Sequence, residues 1–325
     1  MSKLIDVIIP AYNAEFTIID TLKSIERLNA KDFISVIITD DGSIDRTYDV
    51  ISNYSNNSEL DITLLKQRNM GEGAARNNGL KYSTSEYVIF LDSDDIFESF
   101  NIKKVIKELI SNKYDMIIGS YICDTNHSQK KYILKNEIYS KEQLIIDICG
   151  RILPAGIGNT FYRNTIIKDY ELYFGSYKYG ADMEFVRRYV TKATYAKCID
   201  DIIFRYNFNP NSVMNVKFNR NRLDAIKSVI DTIGYFEYNK LIVPSSLNIF
   251  LISEVRGASQ SYVLSSDNKD MSFIDELLKK YLPSKIKLND FINRKRFYWL
   301  FMNLFFYKFP KCYLFIYHAV FRNKK

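Results

Sequence analysis

Two rhythms of apolar residues alternate along the first third of the chain. Leu4–Ile9 is apolar apart from Asp6, and Ile34–Thr39, Ile62–Lys66 and Tyr87–Leu91 are similar short runs rich in Ile, Val and Leu. The first two predict buried strands and the next two further strands, with a fifth over Met116–Ser120. Between the first two, Ile18, Leu22, Ile25 and Leu28 recur at helical spacing, and Asn13 is a candidate cap for that helix. A short helix is expected from near Asp45 and another over Ala74–Tyr82. This βαβαβ order predicts an α/β fold: a mainly parallel sheet flanked by helices. In such sheets ligands bind beyond the carboxyl ends of the strands. Two acidic clusters, Asp40-Asp41 and Asp92-Ser93-Asp94-Asp95, stand at two of those ends.

Further on the pattern is mixed: a Gly-rich loop at Pro154–Gly158, a helix from Asp182 to Thr191, and strands near Tyr195–Ile199 and Ile202–Tyr206. From Lys217 the chain reads as helical, with breaks near Pro244, Ser265–Lys269 and Pro283. The expected division is a catalytic domain over residues 1–215 and a helical extension over 216–325.

Composition changes the picture in three places. The chain of 325 residues has only two histidines, His127 and His318, so a divalent ion would rest on carboxylates and ligand oxygens, which favours Mg2+ or Mn2+. Its four cysteines are far apart and form no C-x-x-C pair, which points to a reducing compartment. The apolar run after Met1 is too short for a signal peptide, so a cytoplasmic chain is expected. Finally, residues 291–325 hold eight Lys or Arg and no acid, leaving 37 basic against 38 acidic residues elsewhere. The net charge of +7 therefore belongs to the tail.

Asp92-Ser93-Asp94 is a D-x-D at a strand end. A solvated acidic turn would look the same, but a divalent cation bridging two phosphates needs such carboxylates. Asp40 and Asp41, followed by Gly42, Ser43 and Asp45, read equally well as a turn with a helix cap or as acceptors for a nucleoside. Gly71–Asn77 opens a helix, where small residues and the helix N-terminus admit an anion; its spacing is neither a dinucleotide fingerprint nor a phosphate loop.

Together VIIPAYN (Val7–Asn13), TDDGSID (Thr39–Asp45), GEGAARNNGL (Gly71–Leu80) and FLDSDD (Phe90–Asp95) resemble family 2 glycosyltransferases of the GT-A fold, in order and spacing, over roughly the first 100 residues. The resemblance implies a UDP-sugar donor. Pro10, Tyr12, Asp40, Asp41, Arg76, Asp92 and Ser93 would then line the nucleotide site, with Tyr12 and Asp41 at the uracil and Asp92 near the ribose. Asp94, with Asp92 as a possible second ligand, would hold Mn2+ or Mg2+. Tyr179–Phe185 (YGADMEF) is similar to the family's G-E-D-x-x-F segment, which makes Asp182 the general base of an inverting transfer; Ala181 stands where the family has glutamate. From spacing alone Asp182 reads rather as a helix cap. NTFYR (Asn159–Arg163) is similar to an acceptor-side segment, and FRYNFNPNSV (Phe204–Val213) to one that closes over the donor phosphates, through Arg205 and Ser212.

Residues 291–325 carry 13 aromatic residues and two apolar runs, Phe297–Tyr307 and Cys312–Phe321, each too short to span a bilayer. Charge with aromatics predicts a segment lying on the inner face of the cytoplasmic membrane; the alternative is a core-packing helical pair. Its basic residues flank apolar runs and line no polar groove, so no nucleic-acid partner is expected. The sequence thus points to a glycosyltransferase acting on a glycan acceptor, taken to be lipid-linked as in surface-polysaccharide synthesis. A sugar nucleotidyltransferase and a non-catalytic nucleotide-sugar-binding scaffold are the rivals.

Overall fold

The computed structural model describes residues 3–126, 128–208, 220–265, 271–282 and 297–321. Contacts divide the chain into two units: Met1–Ile145, Leu153–Ser176 and Phe185–Pro210 form the first, and Ile146–Ile152, Tyr177–Glu184 and Asn211–Lys325 the second.

The first unit is built on a ten-stranded sheet. Its strands are β1 (Ile5–Ala11), β2 (Ile34–Asp40), β3 (Asp61–Lys66), β4 (Tyr87–Phe90), β5 (Ile96–Phe97), β6 (Met116–Asp124), β7 (Gln129–Tyr132), β8 (Glu137–Tyr139), β9 (Thr160–Arg163) and β10 (Ala196–Tyr206). The order is β3-β2-β1-β4-β9-β6-β10-β5, with β7 on β6 and β8 on β10. The β1–β2, β2–β3, β1–β4 and β6–β10 pairs are parallel, and β9 runs antiparallel between β4 and β6. The strands expected at Tyr195–Ile199 and Ile202–Tyr206 are one strand, β10, whose register against β6 shifts after Ile199.

Both faces of β1 are covered. Ile5, Val7 and Ile9 join a core with Ile18, Leu22 and Ile25 of α1 (Ile18–Glu26), Ile51 of α2 (Thr47–Ser55), and Val105 and Leu109 of α4 (Ile102–Asn112). On the other face lies α3 (Glu72–Tyr82), where a Cβ at Gly79 would fall 2.6 Å from Ile8 Cγ2. Asp6 is the one polar residue of β1. Buried, it accepts hydrogen bonds from the hydroxyls of Ser35, Ser83 and Ser85 and from the amides of Thr84 and Ser85, which fixes the turn into β4. Protein donors thereby replace the water that burial takes from both carboxyl oxygens.

Asn13 does not cap α1. Its φ is 50°, its side-chain oxygen accepts the amide of Ile44, and the helix begins only at Ile18, after Thr17. The cap-like residue is used instead to stitch two loops together.

The second unit contains α8 (Leu223–Tyr238), α9 (Ser245–Ser265), α10 (Met271–Tyr281), α11 (Phe297–Lys308) and α12 (Pro310–Phe321). The break expected near Pro244 is present as the loop between α8 and α9, whereas the breaks at Ser265–Lys269 and Pro283 fall largely or wholly outside the described residues. None of the described helices is long and apolar enough to cross a membrane.

Candidate active site

Strand order reverses at β1: the chain runs outward through β2 to β3, then returns to place β4 on the other side of β1. The carboxyl ends of these strands flank a switch-point crevice, the usual ligand site of an open α/β sheet. The Asp41 amide donates to Ala11 O at 2.8 Å and the Leu91 amide to Ile8 O at 3.0 Å, so the residues after β1, β2 and β4 start from one edge.

Two loops on that edge are cross-linked. The Asn13 amide donates to Ser43 Oγ (3.0 Å), Ala14 N to Thr47 Oγ1 (2.7 Å) and Glu15 N to Asp45 Oδ2 (3.3 Å); in return Ile44 N donates to Asn13 Oδ1 (3.0 Å) and Arg46 N to Glu15 Oε2 (3.2 Å). Burial raises the Asp45 carboxyl, but hydrogen bonds from the Thr47 hydroxyl and amide and from the Glu15 amide outweigh it and lower its pKa. Pro10 is buried within β1 and Tyr12, on the stitched loop, is 47% exposed.

Asp41 is buried, and both of its oxygens hold the loop after β3: Oδ1 accepts Gln67 Nε2 (2.7 Å) and Met70 N (2.8 Å), and Oδ2 accepts Gly71 N (2.8 Å). Oδ1 is filled by its two donors while Oδ2 keeps capacity for another, so Asp41 both shapes the loop and can still meet a further donor. Gly42 fits here with φ +71°, and a Cβ on it would lie 2.8 Å from Asn69 N. Asp40 is fully buried and accepts the Ser43 amide at 3.2 Å.

The D-x-D turn is held from three directions. Arg76, 1% exposed in α3, places Nη2 2.6 Å from Asp92 Oδ1 and 3.4 Å from Glu72, with its guanidinium 5.4 Å from the Phe174 ring centre. Thr21 Oγ1 of α1 donates to the carbonyls of Ser93 (3.1 Å) and Asp95 (2.8 Å). From the end of β10, Asn207 donates its amide to Asp95 Oδ1 (2.8 Å) and Nδ2 to Asp94 O (2.7 Å). Burial and the charge of Asp92 push the Asp95 carboxyl up to about 9, against the Asn207 amide, which acts to lower it. Asp95 is thereby the neutral member of a turn whose half-buried carboxylates are Asp92 and Asp94.

Among the described residues no three His, Cys, Asp or Glu side chains are grouped to hold a metal ion by themselves. The donor set is still of the right kind. Asp92 spends one oxygen on Arg76, and a hard divalent ion held by the carboxylates of this turn would complete its shell with ligand oxygens.

The other predicted residues sit elsewhere. Arg205 of β10 is engaged by Glu98 and by Asp124 (3.3 Å), so a phosphate there would compete with two carboxylates. Ser212 lies outside the described residues. In the NTFYR segment, Asn159 binds the carbonyls of Gly119 and Pro154, and Arg163 pairs with Glu86 (2.9 Å) and Asp115 (3.3 Å). Those contacts seat β9 in the sheet.

Asp182 belongs to the second unit, in the first turn of α7 (Ala181–Val190). Gly180 before it has φ +87°, and a Cβ there would lie 2.4 Å from Ser228 Oγ of α8. Tyr177 hydrogen-bonds Asp231, and the Lys178 amide donates to Asp224 Oδ2 at 2.9 Å. The turn that presents Asp182 is thus docked on α8. Thr21, Gln67 and Asn207 carry no motif signal, and their part at the site emerges only from the fold.

The chain is 24% identical over 309 residues to the minor teichoic acid biosynthesis protein GgaA of Bacillus subtilis, covering 88% of this chain and 69% of that protein. It is 28% identical to the poly(ribitol-phosphate) beta-N-acetylglucosaminyltransferase TarS of Staphylococcus aureus, over 52% of this chain and 29% of that one. It is 30% identical to the Escherichia coli UDP-Glc:alpha-D-GlcNAc-diphosphoundecaprenol beta-1,3-glucosyltransferase WfgD, over 45% and 56%. The chain therefore spans well under two thirds of TarS and WfgD. Among solved structures, S. aureus TarS 1–349 in complex with UDP-GlcNAc matches with a TM-score of 0.68 at 18% identity, over 86% of this chain and 82% of that one. The mannosyltransferase PcManGT from Pyrobaculum calidifontis in complex with GDP-Man and Mn2+ matches at 0.56 and 14%, over 99% and 87%. These likenesses show the GT-A fold. The family model "Glycosyl transferase family 2" matches residues 6–171, just over half of the chain, and the chain belongs to that family.

Proposed function

We propose that this glycosyltransferase moves a hexose or N-acetylhexosamine from a UDP-sugar to a hydroxyl of a lipid-linked glycan, with inversion, in the synthesis of capsule, O-antigen or a similar surface polysaccharide. The observation that carries the reading is the strand-end crevice, where Asp41 and the Arg76-held Asp92 stand on the two sides of β1. Asp41 would accept the uracil N3–H, with Tyr12 against the base, Pro10 and Asp40 behind it, and Asp92 and Ser93 toward the ribose. Arg76 holds Asp92 in place. Asp94, with Asp92, would hold Mn2+ or Mg2+, which when bound neutralises the charge that develops on the departing diphosphate. The acceptor oxygen attacks the anomeric carbon opposite UDP, forming the new C–O bond as the sugar–phosphate bond breaks. Asp182 takes the hydroxyl proton.

Relatives support the finer points. The names of TarS and WfgD specify β-linked products, and UDP-glucose is an α-linked donor, so inversion follows the same chemistry. WfgD acts on a diphosphoundecaprenol-linked sugar and PcManGT was captured with Mn2+, which supports a lipid-borne acceptor and a divalent ion here. The proposed division remains a catalytic domain through residue 215 and an extension over 216–325, with the enzyme peripheral at the inner face of the cytoplasmic membrane. Incubating the chain with a panel of UDP-sugars, with and without Mn2+, tests the reading. One UDP-hexose or UDP-N-acetylhexosamine should release UDP in a metal-dependent way, and no release from any of them would refute it.

A further inference from the structure

In the second unit, α11 and α12 form a hairpin against α9, and buried polar contacts fix the hairpin's rotation. Arg256 of α9 donates Nε to Asn303 Oδ1 (2.9 Å) and Nη1 to the Tyr313 hydroxyl (3.0 Å), and Gln260 Nε2 reaches the same hydroxyl at 2.6 Å. Asn303, Phe306, Tyr313 and Leu314 are buried. Much of the aromatic tail is therefore the core-packing helical pair that stood as the alternative in the sequence.

The opposite side of α12 breaks the rule for a water-facing helix. At 100° per residue Lys311, Cys312, Phe315 and Ile316 share one side, turned away from Tyr313 and Leu314. All four are exposed, Phe315 by 74% and Ile316 by 47%, and Phe309 before them by 60%. Lys311 pairs with Asp275 of α10 at 2.9 Å, but both ends are more than half exposed and the pair shields the face little. An apolar face rimmed by Lys308 and Lys311 lies within a segment of eight basic and no acidic residues. That charge repels a second copy of the same face and matches an anionic surface. With 12 residues, α12 is about 18 Å long, too short to cross a bilayer, so it would lie in the headgroup plane.

We infer that the face of α12 carrying Phe315 and Ile316, with Phe309 and flanked by Lys308 and Lys311, docks the enzyme on an anionic lipid bilayer. The inference deepens the lipid-linked reading above and rests on it for the choice of a bilayer as occupant.

Flotation of the full chain with vesicles of phosphatidylglycerol and phosphatidylcholine, against phosphatidylcholine alone, tests this. The chain should float with the anionic vesicles, less so in high salt and little with the neutral ones. Phe315→Ser with Ile316→Ser should weaken binding roughly tenfold or more, because each exposed apolar side chain then loses its burial in lipid. Lys308→Glu with Lys311→Glu, all on the surface, should weaken it independently of the apolar pair. Both variants should keep the wild-type rate of UDP release in lipid-free solution, so a failure of docking and a failure of the transferase reading are told apart. Wild-type chain that does not float, or an apolar variant that floats like wild type, overturns the inference. So does sedimentation that shows the wild type as a dimer and the apolar variant as a monomer, since the face would then cover a second copy.

Discussion

Arg76 offers the sharpest test of how the D-x-D turn is held. Arg76→Met keeps the apolar stem beside Phe174 and removes the guanidinium that lies 2.6 Å from Asp92. Removing one partner of a fully buried ion pair costs about 3–5 kcal/mol. Asp92 is 29% exposed, so water takes up part of the loss, and a cost of about 2 kcal/mol is expected for this variant. Asp92→Asn instead takes the nearest carboxylate away from the buried guanidinium, leaving Glu72 at 3.4 Å, and should cost about 3 kcal/mol. The double variant should recover about 1.5 kcal/mol of coupling in a cycle read by urea unfolding. A second readout follows from charge. Without Arg76 the turn of Asp92, Asp94 and Asp95 has lost a neighbouring cation, so Mn2+ alone should raise the Tm of Arg76→Met more than that of wild type. Coupling below about 0.5 kcal/mol, with no differential Mn2+ effect, would refute the reasoning.

Three further outcomes are expected. Gly42→Ala must adopt φ +71° and bring a Cβ to 2.8 Å from the Asn69 amide; left-handed strain alone costs about 1–2 kcal/mol, and calorimetry should also show weaker UDP binding. Asp45 has a folded pKa below its unfolded value of about 4, so its contribution is fully present above that value and is lost as pH falls through the folded pKa. The stability gap between wild type and Asp45→Ala should therefore be constant from pH 6 to 8, on the order of 1 kcal/mol, and shrink only below about pH 4. Asp224→Ala combined with Asp231→Ala releases the Tyr177–Gly180 turn from α8; kcat should fall roughly tenfold while the KM for donor stays put, because the donor contacts lie in the other unit.

Much of this was legible in the sequence, and for physical reasons. Strands β1, β2 and β4 are short apolar runs that no solvent-exposed element tolerates, and the acidic clusters that follow β2 and β4 could be placed before any coordinates; β3 shows instead the alternation of a half-exposed strand. Antiparallel β9 was not placed, because four residues carry too little periodicity, and its NTFYR sequence drew a functional reading instead. Asn13 looked like a helix cap because local sequence cannot show that its side chain has a partner 31 residues away. Thr21 and Asn207 clamp the D-x-D turn from positions 72 and 113 residues from their main partners, which no local motif reports. The two faces of the tail helices were unreadable for a related reason: α12 is apolar nearly all round, and the bonds of Arg256 and Gln260 to Tyr313 show which side is inside.

The central claim is that the strand-end acids bind the donor and Asp182 does the proton transfer. Metal-dependent UDP binding and UDP release from the preferred UDP-sugar, measured on Asp94→Asn and Asp182→Asn together, test it most directly. Asp94→Asn should lose the Mn2+ dependence of UDP binding. Asp182→Asn should bind UDP and Mn2+ like wild type while its turnover falls by roughly a hundredfold or more. Wild-type turnover in Asp182→Asn, or unchanged Mn2+-dependent binding in Asp94→Asn, would contradict the account.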